Sequence, residues 1–330
     1  MCIEYTDIHI HTIERGLKMN MLQVQSKGEL MPAQDVSAEL FSRFISYLDA
    51  TPKTVETYTR ALRQLFKYFS LNGIRQPQRE DILAFRDDLK ASGLKPTTVQ
   101  NYITAAKLFF KWTAQEGLYP NVAEHLKGAK INRDHKKDYL TSRQVKDVLE
   151  GVERTTLKGL RDYAILALMV TGGLRTIEVT RADVADLRTA GESTILYVQG
   201  KGREEKTDFV KISPQVEKAI RAYLRARGTA ADNSPLFAST SNNNTGERMT
   251  TRAISGMVKD RLQGAGYDSS RLTAHSLRHT AVTLSLLAGK DITEVQQFAR
   301  HANIATTMIY NHALDKSKNS CSDAITKAIF

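Results

Sequence analysis

The sequence predicts a mainly α-helical protein of two domains, with one small antiparallel sheet in the second domain. Apolar residues recur every three or four positions along most of the 330-residue chain, which is the period of a helix with one buried face. Two β-branched and aromatic runs, at 194–199 and 207–212, flank the turn GKGREEK and predict a β-hairpin. The basic stretch 127–139 has no apolar period and separates two periodic blocks, so we interpret it as an interdomain linker, in preference to an ordinary solvated loop.

The first periodic block, residues 36–126, predicts a bundle of four helices. Its first helix carries an apolar stripe up to Leu48, and its second helix begins after Pro52. The third helix covers 79–92, and the fourth repeats the residue pattern of the second. Residues 1–35 show no sustained period and are interpreted as an N-terminal tail.

The second block, residues 140–330, is predicted to be mostly helical. Thr141 is a typical N-cap for its first helix, and Gly172 and Gly173 end the strongly apolar second helix. After the hairpin, the apolar period predicts four further helices and one short helical turn. They cover 215–227, 250–263, 274–287, 292–300 and 306–310.

The composition favours a polyanionic partner. Lys and Arg number 47 against 36 Asp and Glu, which gives a formal net charge of +11. The two isolated cysteines, Cys2 and Cys321, provide neither a disulfide framework nor a cysteine-based zinc site. The longest apolar run, 163–170, is far shorter than the ~20 residues of a membrane span. Because the first residues also lack a signal-peptide pattern, we expect a cytoplasmic protein with no membrane partner.

Two motifs place cationic side chains near the start of a helix. Arg175 follows the glycines that end a helix, and Glu178 lies at i+3, so its carboxylate can fix the guanidinium. His275 and Arg278 lie one turn apart on one helix face, where both can reach the same anion. We interpret His279 as a supporting residue that packs or hydrogen-bonds. Each motif alone is equally typical of an ordinary surface ion pair or helix start.

Three further side chains are candidates for the same chemistry. Lys201 lies between two glycines in the hairpin turn, where small neighbours allow close approach to a ligand, and Lys206 and Arg203 compete for this role. His301 lies where one helix ends, and Tyr310 lies in the next helical turn. Taken alone, a solvated turn lysine and a tyrosine in the core are the commoner interpretations.

The order of these residues resembles that of the tyrosine recombinase (phage integrase) family, whose catalytic domain carries Arg, Lys, His-x-x-Arg, His or Trp, and Tyr. The strings TGGLRTIEV, QGKG and HSLRHT, and the nine-residue step from His301 to Tyr310, are similar to the family's motifs. The first block is similar to the family's SAM-like core-binding domain, so the resemblance covers about residues 36–314. The chain departs from the family at Arg300, because family members commonly have Leu-Gly-His where this chain has Ala-Arg-His.

The resemblance implies DNA strand cleavage and rejoining, without a metal ion or cofactor. Tyr310 is expected to attack a DNA phosphate, which gives a 3′-phosphotyrosyl link and a free 5′-hydroxyl. His275 is the expected base for Tyr310, and Lys201 is the expected acid for the leaving oxygen. The residues expected to stabilise charge on phosphorus are Arg175, Arg278 and His301. No carboxylate cluster in the sequence resembles a divalent metal site.

The resemblance also implies a site-specific recombinase that acts on double-stranded DNA, in the integration or excision of a mobile element of a bacterium or phage. It implies a homotetramer in the synaptic complex, with accessory DNA-bending or directionality proteins as further partners. Residues 322–330 have helical spacing that suits either docking on a neighbouring copy or packing within the chain. Three rivals were weighed. The core-binding block argues against a type IB topoisomerase, and Tyr310, which DNA binding alone does not require, argues against a non-catalytic DNA-binding regulator. A chelator would distinguish a metal-dependent transposase or nuclease.

Overall fold

The computed structural model describes residues 25–26, 29–30, 38–130, 138–200, 202–317, 325–326 and 328–329. The chain divides into two compact units, Met1–Arg133 and Asp134–Phe330, each with its own hydrophobic core. In the segment predicted to be a tail, two short strands, β1 (Gln25–Ser26) and β2 (Glu29–Leu30), pair antiparallel. Most of the predicted linker lies outside the described residues, so the predicted domain limits stay predictions.

Within residues 38–130, the described part of the first unit apart from two short strands, four helices form, as the apolar period predicts. They are α1 (Ala38–Leu48), α2 (Pro52–Leu71), α3 (Arg79–Ala91) and α4 (Pro96–Gln115). Both α2 and α4 begin with proline, whose fixed φ suits the first helical turn. Their inner faces meet in an aromatic core, where the centroid of the Phe109 ring lies 5.3 Å from those of both Phe44 and Phe66.

Eight helices in the described residues form most of the second unit. They are α5 (Ser142–Glu150), α6 (Leu157–Gly172), α7 (Thr176–Arg181), α8 (Pro214–Arg227), α9 (Thr251–Gly264), α10 (Ala274–Leu287), α11 (Ile292–Ala299) and α12 (Ile304–Ser317). Thr141 caps α5 as predicted, because its hydroxyl accepts a hydrogen bond from the backbone N–H of Gln144. Helix α6 is buried along most of its length and packs against α8 and α10.

A three-stranded antiparallel sheet completes the second unit. Its strands lie in the order β3 (Leu187–Ala190), β4 (Ser193–Val198) and β5 (Asp208–Ile212). The predicted hairpin is β4–β5 and is confirmed, with Leu196 opposite Val210. Strand β3 was not predicted, because this edge strand has the sequence LRTA with its last three residues exposed, and so shows no apolar alternation.

Helix α12 is longer than the helical turn predicted at 306–310. Its second half, NHALDKS, is mostly polar and carries no apolar stripe, so the hydrophobic pattern does not reveal its length. Of the segment 322–330, only 325–326 and 328–329 are described, and both pairs have helical backbone. No helix in the described parts of the chain is long and apolar enough to cross a membrane.

Candidate active site

Arg175 is held at the start of α7 by a buried carboxylate. Helix α6 is followed by Gly173, whose left-handed backbone (φ 58°) turns the chain, and Arg175 is the N-cap of α7. The Glu178 side chain accepts hydrogen bonds from the Arg175 backbone N–H (2.8 Å) and from its Nη1 (2.7 Å). Glu178 is fully buried, whereas the Arg175 side chain is 28% exposed. The predicted i, i+3 pair therefore fixes a guanidinium that solvent still reaches.

Arg278 lies on α10 and is almost completely buried beside Arg175. Its guanidinium donates hydrogen bonds to the backbone carbonyls of Gly173 (2.5 Å) and Ala299. Burial, together with the charge of Arg175, lowers the pKa of Arg278 to about 9. Because this value is still above neutral pH, Arg278 keeps its positive charge, and it ties the turn before α7 to the end of α11.

His301 follows α11 and is held by a hydroxyl on α12. Its Nδ1 lies 2.9 Å from Oγ1 of Thr307, which is buried. Burial, followed by the charges of Arg278, Arg175 and Arg300, lowers the pKa of His301 to about 4. The imidazole is therefore neutral at pH 7, and one of its two nitrogens is oriented by Thr307.

Acidification is expected to destabilise the second unit through His301. Because folding lowers the His301 pKa from 6.5 to about 4, the stability that the neutral ring provides is present above pH 6.5 and is lost as the pH falls toward 4. At pH 5 this loss is at most about 2 kcal/mol. Urea unfolding followed by circular dichroism at pH 7.5 and pH 5 measures it, and His301→Gln should lose less stability than the wild type.

The matched control is His125→Gln, which changes an exposed histidine of the first unit. This variant should lose as much stability on acidification as the wild type. An equal loss in His301→Gln would show that other groups cause the pH dependence.

Tyr310 lies on α12 with a buried ring and a polar partner at its hydroxyl. The ring packs in a small apolar cluster with Val282, Val295 and Ala299. Its hydroxyl forms a short hydrogen bond with Nδ1 of His279. Burial raises the pKa of Tyr310 to about 12, although Arg278 and Arg175 act in the opposite direction. The phenol is therefore protonated at neutral pH and needs a base to act as a nucleophile.

The histidine that contacts Tyr310 is His279, which was predicted only as a supporting residue. His275, the predicted base, is exposed, and its ring centroid lies 4.4 Å from that of His279, in an edge-to-face arrangement. The two rings share one face of α10 because they are four residues apart. That spacing groups His279 with His275 in the sequence, but it does not show which of the two rings meets Tyr310.

The hairpin turn is anchored to the site, although Lys201 itself lies outside the described residues. Arg181, at the end of α7, donates a hydrogen bond to the carbonyl of Gly200 (3.2 Å). Lys206, the competing candidate, forms ion pairs with Asp183 (2.5 Å) and Asp186. These contacts hold Lys206 against two carboxylates just before β5, and the assignment of Lys201 as the reactive lysine stays a prediction.

A cavity of about 540 Å³ opens where α7 and α10 begin, and its lining includes Arg175, His275, Lys259 and Ser270. Such a recess next to a fixed guanidinium suits an anionic group. In the described ranges, no group of three or more His, Cys, Asp and Glu side chains is arranged as metal ligands would be.

Comparison with known proteins identifies the family. The sequence pattern of the "Phage integrase family" matches residues 138–317, more than half of the chain, and that of the "Phage integrase, N-terminal SAM-like domain" matches residues 40–117. Tyrosine recombinase XerC of Herpetosiphon aurantiacus is 31% identical over 283 residues, which cover 82% of this chain and 89% of the relative. Tyrosine recombinase XerA of Pyrococcus horikoshii is 30% identical over 293 residues, which cover 89% and 94%. The chain belongs to the phage integrase family of tyrosine recombinases.

Solved structures with a similar fold come from the same class. XerH site-specific recombinase bound to palindromic difH substrate has a TM-score of 0.69 at 20% identity, over 87% of this chain and 85% of that chain. The integrase of transposon Tn1549, in complex with transposon right end DNA, has a TM-score of 0.65 at 18% identity, over 82% and 93%. The predicted fold class, a helical SAM-like domain followed by a mostly helical domain with a small antiparallel sheet, is confirmed.

Proposed function

We propose that the protein is a site-specific recombinase that cleaves and rejoins DNA strands through a 3′-phosphotyrosyl intermediate at Tyr310. One observation carries the proposal, namely that the Tyr310 hydroxyl lies among charged and titratable groups although its ring is buried in apolar contacts. The hydroxyl is hydrogen-bonded to His279, and the centroid of the tyrosine ring lies 6.3 Å from that of the His301 ring. Against the effect of burial, the charges of Arg278 and Arg175 lower the pKa of the phenol. A tyrosine that serves only in packing needs none of these groups.

The proposed role of the two arginines and His301 is to stabilise the pentacoordinate phosphorus. A phosphodiester is anionic, and attack by an oxygen nucleophile increases the charge on its non-bridging oxygens. Arg175 supplies a fixed positive charge that solvent reaches, and Arg278 supplies a second positive charge from a buried position. The proposed role of His301 requires the tautomer in which the Thr307 hydroxyl donates to Nδ1, because the ring then carries its proton on Nε2 and can donate it to a phosphate oxygen.

The proposed proton transfers balance in one step. The Tyr310 oxygen forms a bond to phosphorus while the bond from phosphorus to the 5′-oxygen breaks. The phenolic proton passes to His279, which is in contact with the hydroxyl, and His275 lies beside that ring. Lys201 gives a proton to the leaving 5′-oxygen. A 5′-hydroxyl from a partner strand then reverses the step, so strands are exchanged without hydrolysis and without ATP.

The proposed substrate is double-stranded DNA, and the proposed assembly is a tetramer of this chain on two duplexes. The net charge of +11 favours a phosphate backbone as partner. Two proteins of similar fold were solved with DNA, XerH with its difH substrate and the Tn1549 integrase with transposon right end DNA. By analogy with the latter, we propose integration or excision of a mobile element as the biological role, with residues 322–330 docking on a neighbouring copy.

A capture experiment on randomised DNA tests this function and finds the DNA site at the same time. The full-length protein is incubated in EDTA with nicked duplexes of randomised sequence, and complexes that survive SDS are sequenced. Because the short 5′-hydroxyl fragment diffuses away at the nick, the covalent intermediate should accumulate. We expect the captured strands to share one sequence, and mass spectrometry of the trimmed adduct to identify the Tyr310 peptide. Absence of any adduct, or its dependence on a divalent metal, would argue against the proposal.

Lys201→Ala is expected to slow cleavage of the captured site by about 10²-fold, because the 5′-oxygen then leaves without a proton donor. A substrate with sulfur in place of that bridging oxygen should restore the rate, since a thiolate leaves readily without protonation. Lys206→Ala is the control and should gain nothing from the sulfur substrate. If sulfur does not rescue Lys201→Ala, the lysine acts in some other way.

A further inference from the structure

Arg300 has a backbone conformation that normally favours glycine. It is the C-cap of α11, and its φ of 53° lies in the left-handed region. The family commonly has glycine at this position, so a glycine would satisfy the turn by itself. Because arginine is strained in this conformation, its presence next to His301 indicates that the side chain has a function.

The Arg300 guanidinium is buried and makes several internal hydrogen bonds. It donates to Oε2 of Glu178 (2.9 Å), to the carbonyl of Gly173 (3.2 Å) and to the carbonyl of Phe298 (2.9 Å). Only 8% of the side chain is exposed. A carboxylate and carbonyls replace water at its two Nη groups, whereas its Nε is buried without a hydrogen-bond partner among the described residues. This guanidinium is thus directed into the protein and away from solvent.

Glu178 links Arg300 to the candidate site, because it accepts hydrogen bonds from both Arg300 and Arg175. One carboxylate oxygen binds Nη1 of Arg175, and the other binds Arg300 and the backbone N–H of Arg175. Nη2 of Arg175 in turn donates to the backbone carbonyl of Arg300 (3.3 Å). The two arginines therefore share one buried carboxylate, and each also contacts the other's segment.

We propose that Arg300 is a positioning residue, which fixes Glu178, and through it the Arg175 guanidinium, against the loop that carries His301. Arg278 makes the parallel link, because it bonds to Gly173 and Ala299. The buried guanidinium groups of Arg278 and Arg300 thus fix the distance between the segments that carry Arg175 and His301, which are proposed to bind the phosphate. The inference deepens the proposed function and rests on it.

Arg300→Gly is the most informative variant, because glycine adopts the same backbone conformation without strain. We expect a DNA affinity close to that of the wild type and a moderately lower melting temperature, because relief of the strain offsets only part of the lost hydrogen bonds. Single-turnover cleavage at saturating DNA should be slowed about 10- to 100-fold. Arg300→Lys, which keeps a charge near Glu178, should recover part of the rate. A defect of the fold alone would instead lower the DNA affinity together with the melting temperature and the rate.

His125→Gly is the matched control, since His125 also has a φ of 53° but lies in the first unit. It should relieve the same kind of strain and leave the cleavage rate unchanged. Glu178→Gln tests whether Arg300 acts through this carboxylate. If it does, the double variant with Arg300→Gly and Glu178→Gln should cleave DNA no more slowly than the slower of the two single variants.

The outcomes separate the two proposals. A wild type that forms no Tyr310 adduct overturns the proposed function. A wild type that forms the adduct, with Arg300→Gly equally fast or faster, overturns the positioning role. If the rate losses of Arg300→Gly and Glu178→Gln multiply in the double variant, the two residues act independently, and the proposed route through Glu178 is wrong.

Discussion

Replacing Tyr310 by phenylalanine is expected to abolish the covalent protein–DNA adduct completely, because the change removes the one oxygen that would bond to phosphorus. The ring keeps its packing against Val282, Val295 and Ala299, so the second unit should stay folded. Loss of the hydrogen bond to His279 should cost about 1 kcal/mol of unfolding free energy. Denaturing gels with the captured DNA site measure the adduct, and a mobility shift under native conditions should show that binding persists.

Tyr267→Phe is a matched control for this variant. It removes a hydroxyl from the same unit, one that donates to Asp147 (2.7 Å) and that the proposed mechanism does not use. The adduct should form as in the wild type. An SDS-stable band that persists in Tyr310→Phe would place the nucleophile at another residue and end the assignment.

Arg175→Ala is expected to slow cleavage by about 10³-fold or more, with DNA binding largely retained. The reason is the loss of the cation most able to contact the phosphate as charge develops on it. Glu178 keeps Arg300 as a charged partner, so the substitution does not leave a buried carboxylate alone. Single-turnover cleavage, DNA affinity and thermal unfolding, measured on one preparation, separate these effects.

Arg278→Ala provides the contrast. Its guanidinium is buried and satisfies the carbonyls of Gly173 and Ala299, so its removal should lower stability by about 2 kcal/mol or more as well as the cleavage rate. If Arg175→Ala loses stability and binding to the same degree, then Arg175 holds the fold together and its proposed contact with phosphate is wrong.

Helices with a strong apolar period were predicted well from the sequence, because burial of one face determines both the pattern and the fold. The predicted span of α10, 274–287, agrees with the structure, and the family resemblance is confirmed. Strand β3 was missed because its exposed residues carry no pattern. The roles of the six site residues stay predictions, although the structure clusters Arg175, Arg278, His301 and Tyr310.

Two features of the site could not be read from the sequence, since both depend on contacts between distant segments. The carboxylate of Glu178 is shared with Arg300, which lies more than a hundred residues further along the chain. The hydroxyl of Tyr310 forms a hydrogen bond with His279 on another helix, a residue that was predicted only to support the site. Sequence spacing shows which residues share a helix face, but it does not show which helix packs against that face.

The buried, protonated state of Tyr310 gives the proposed enzyme a latent nucleophile. Since the phenol has a pKa of about 12 and is hydrogen-bonded inside the protein, it is a poor reagent toward any small electrophile that diffuses past. Reactivity would then arise only when an ordered phosphate draws the hydroxyl and its proton acceptor into alignment. A strand-breaking protein with this resting state can remain in contact with a chromosome while leaving almost all of it uncut.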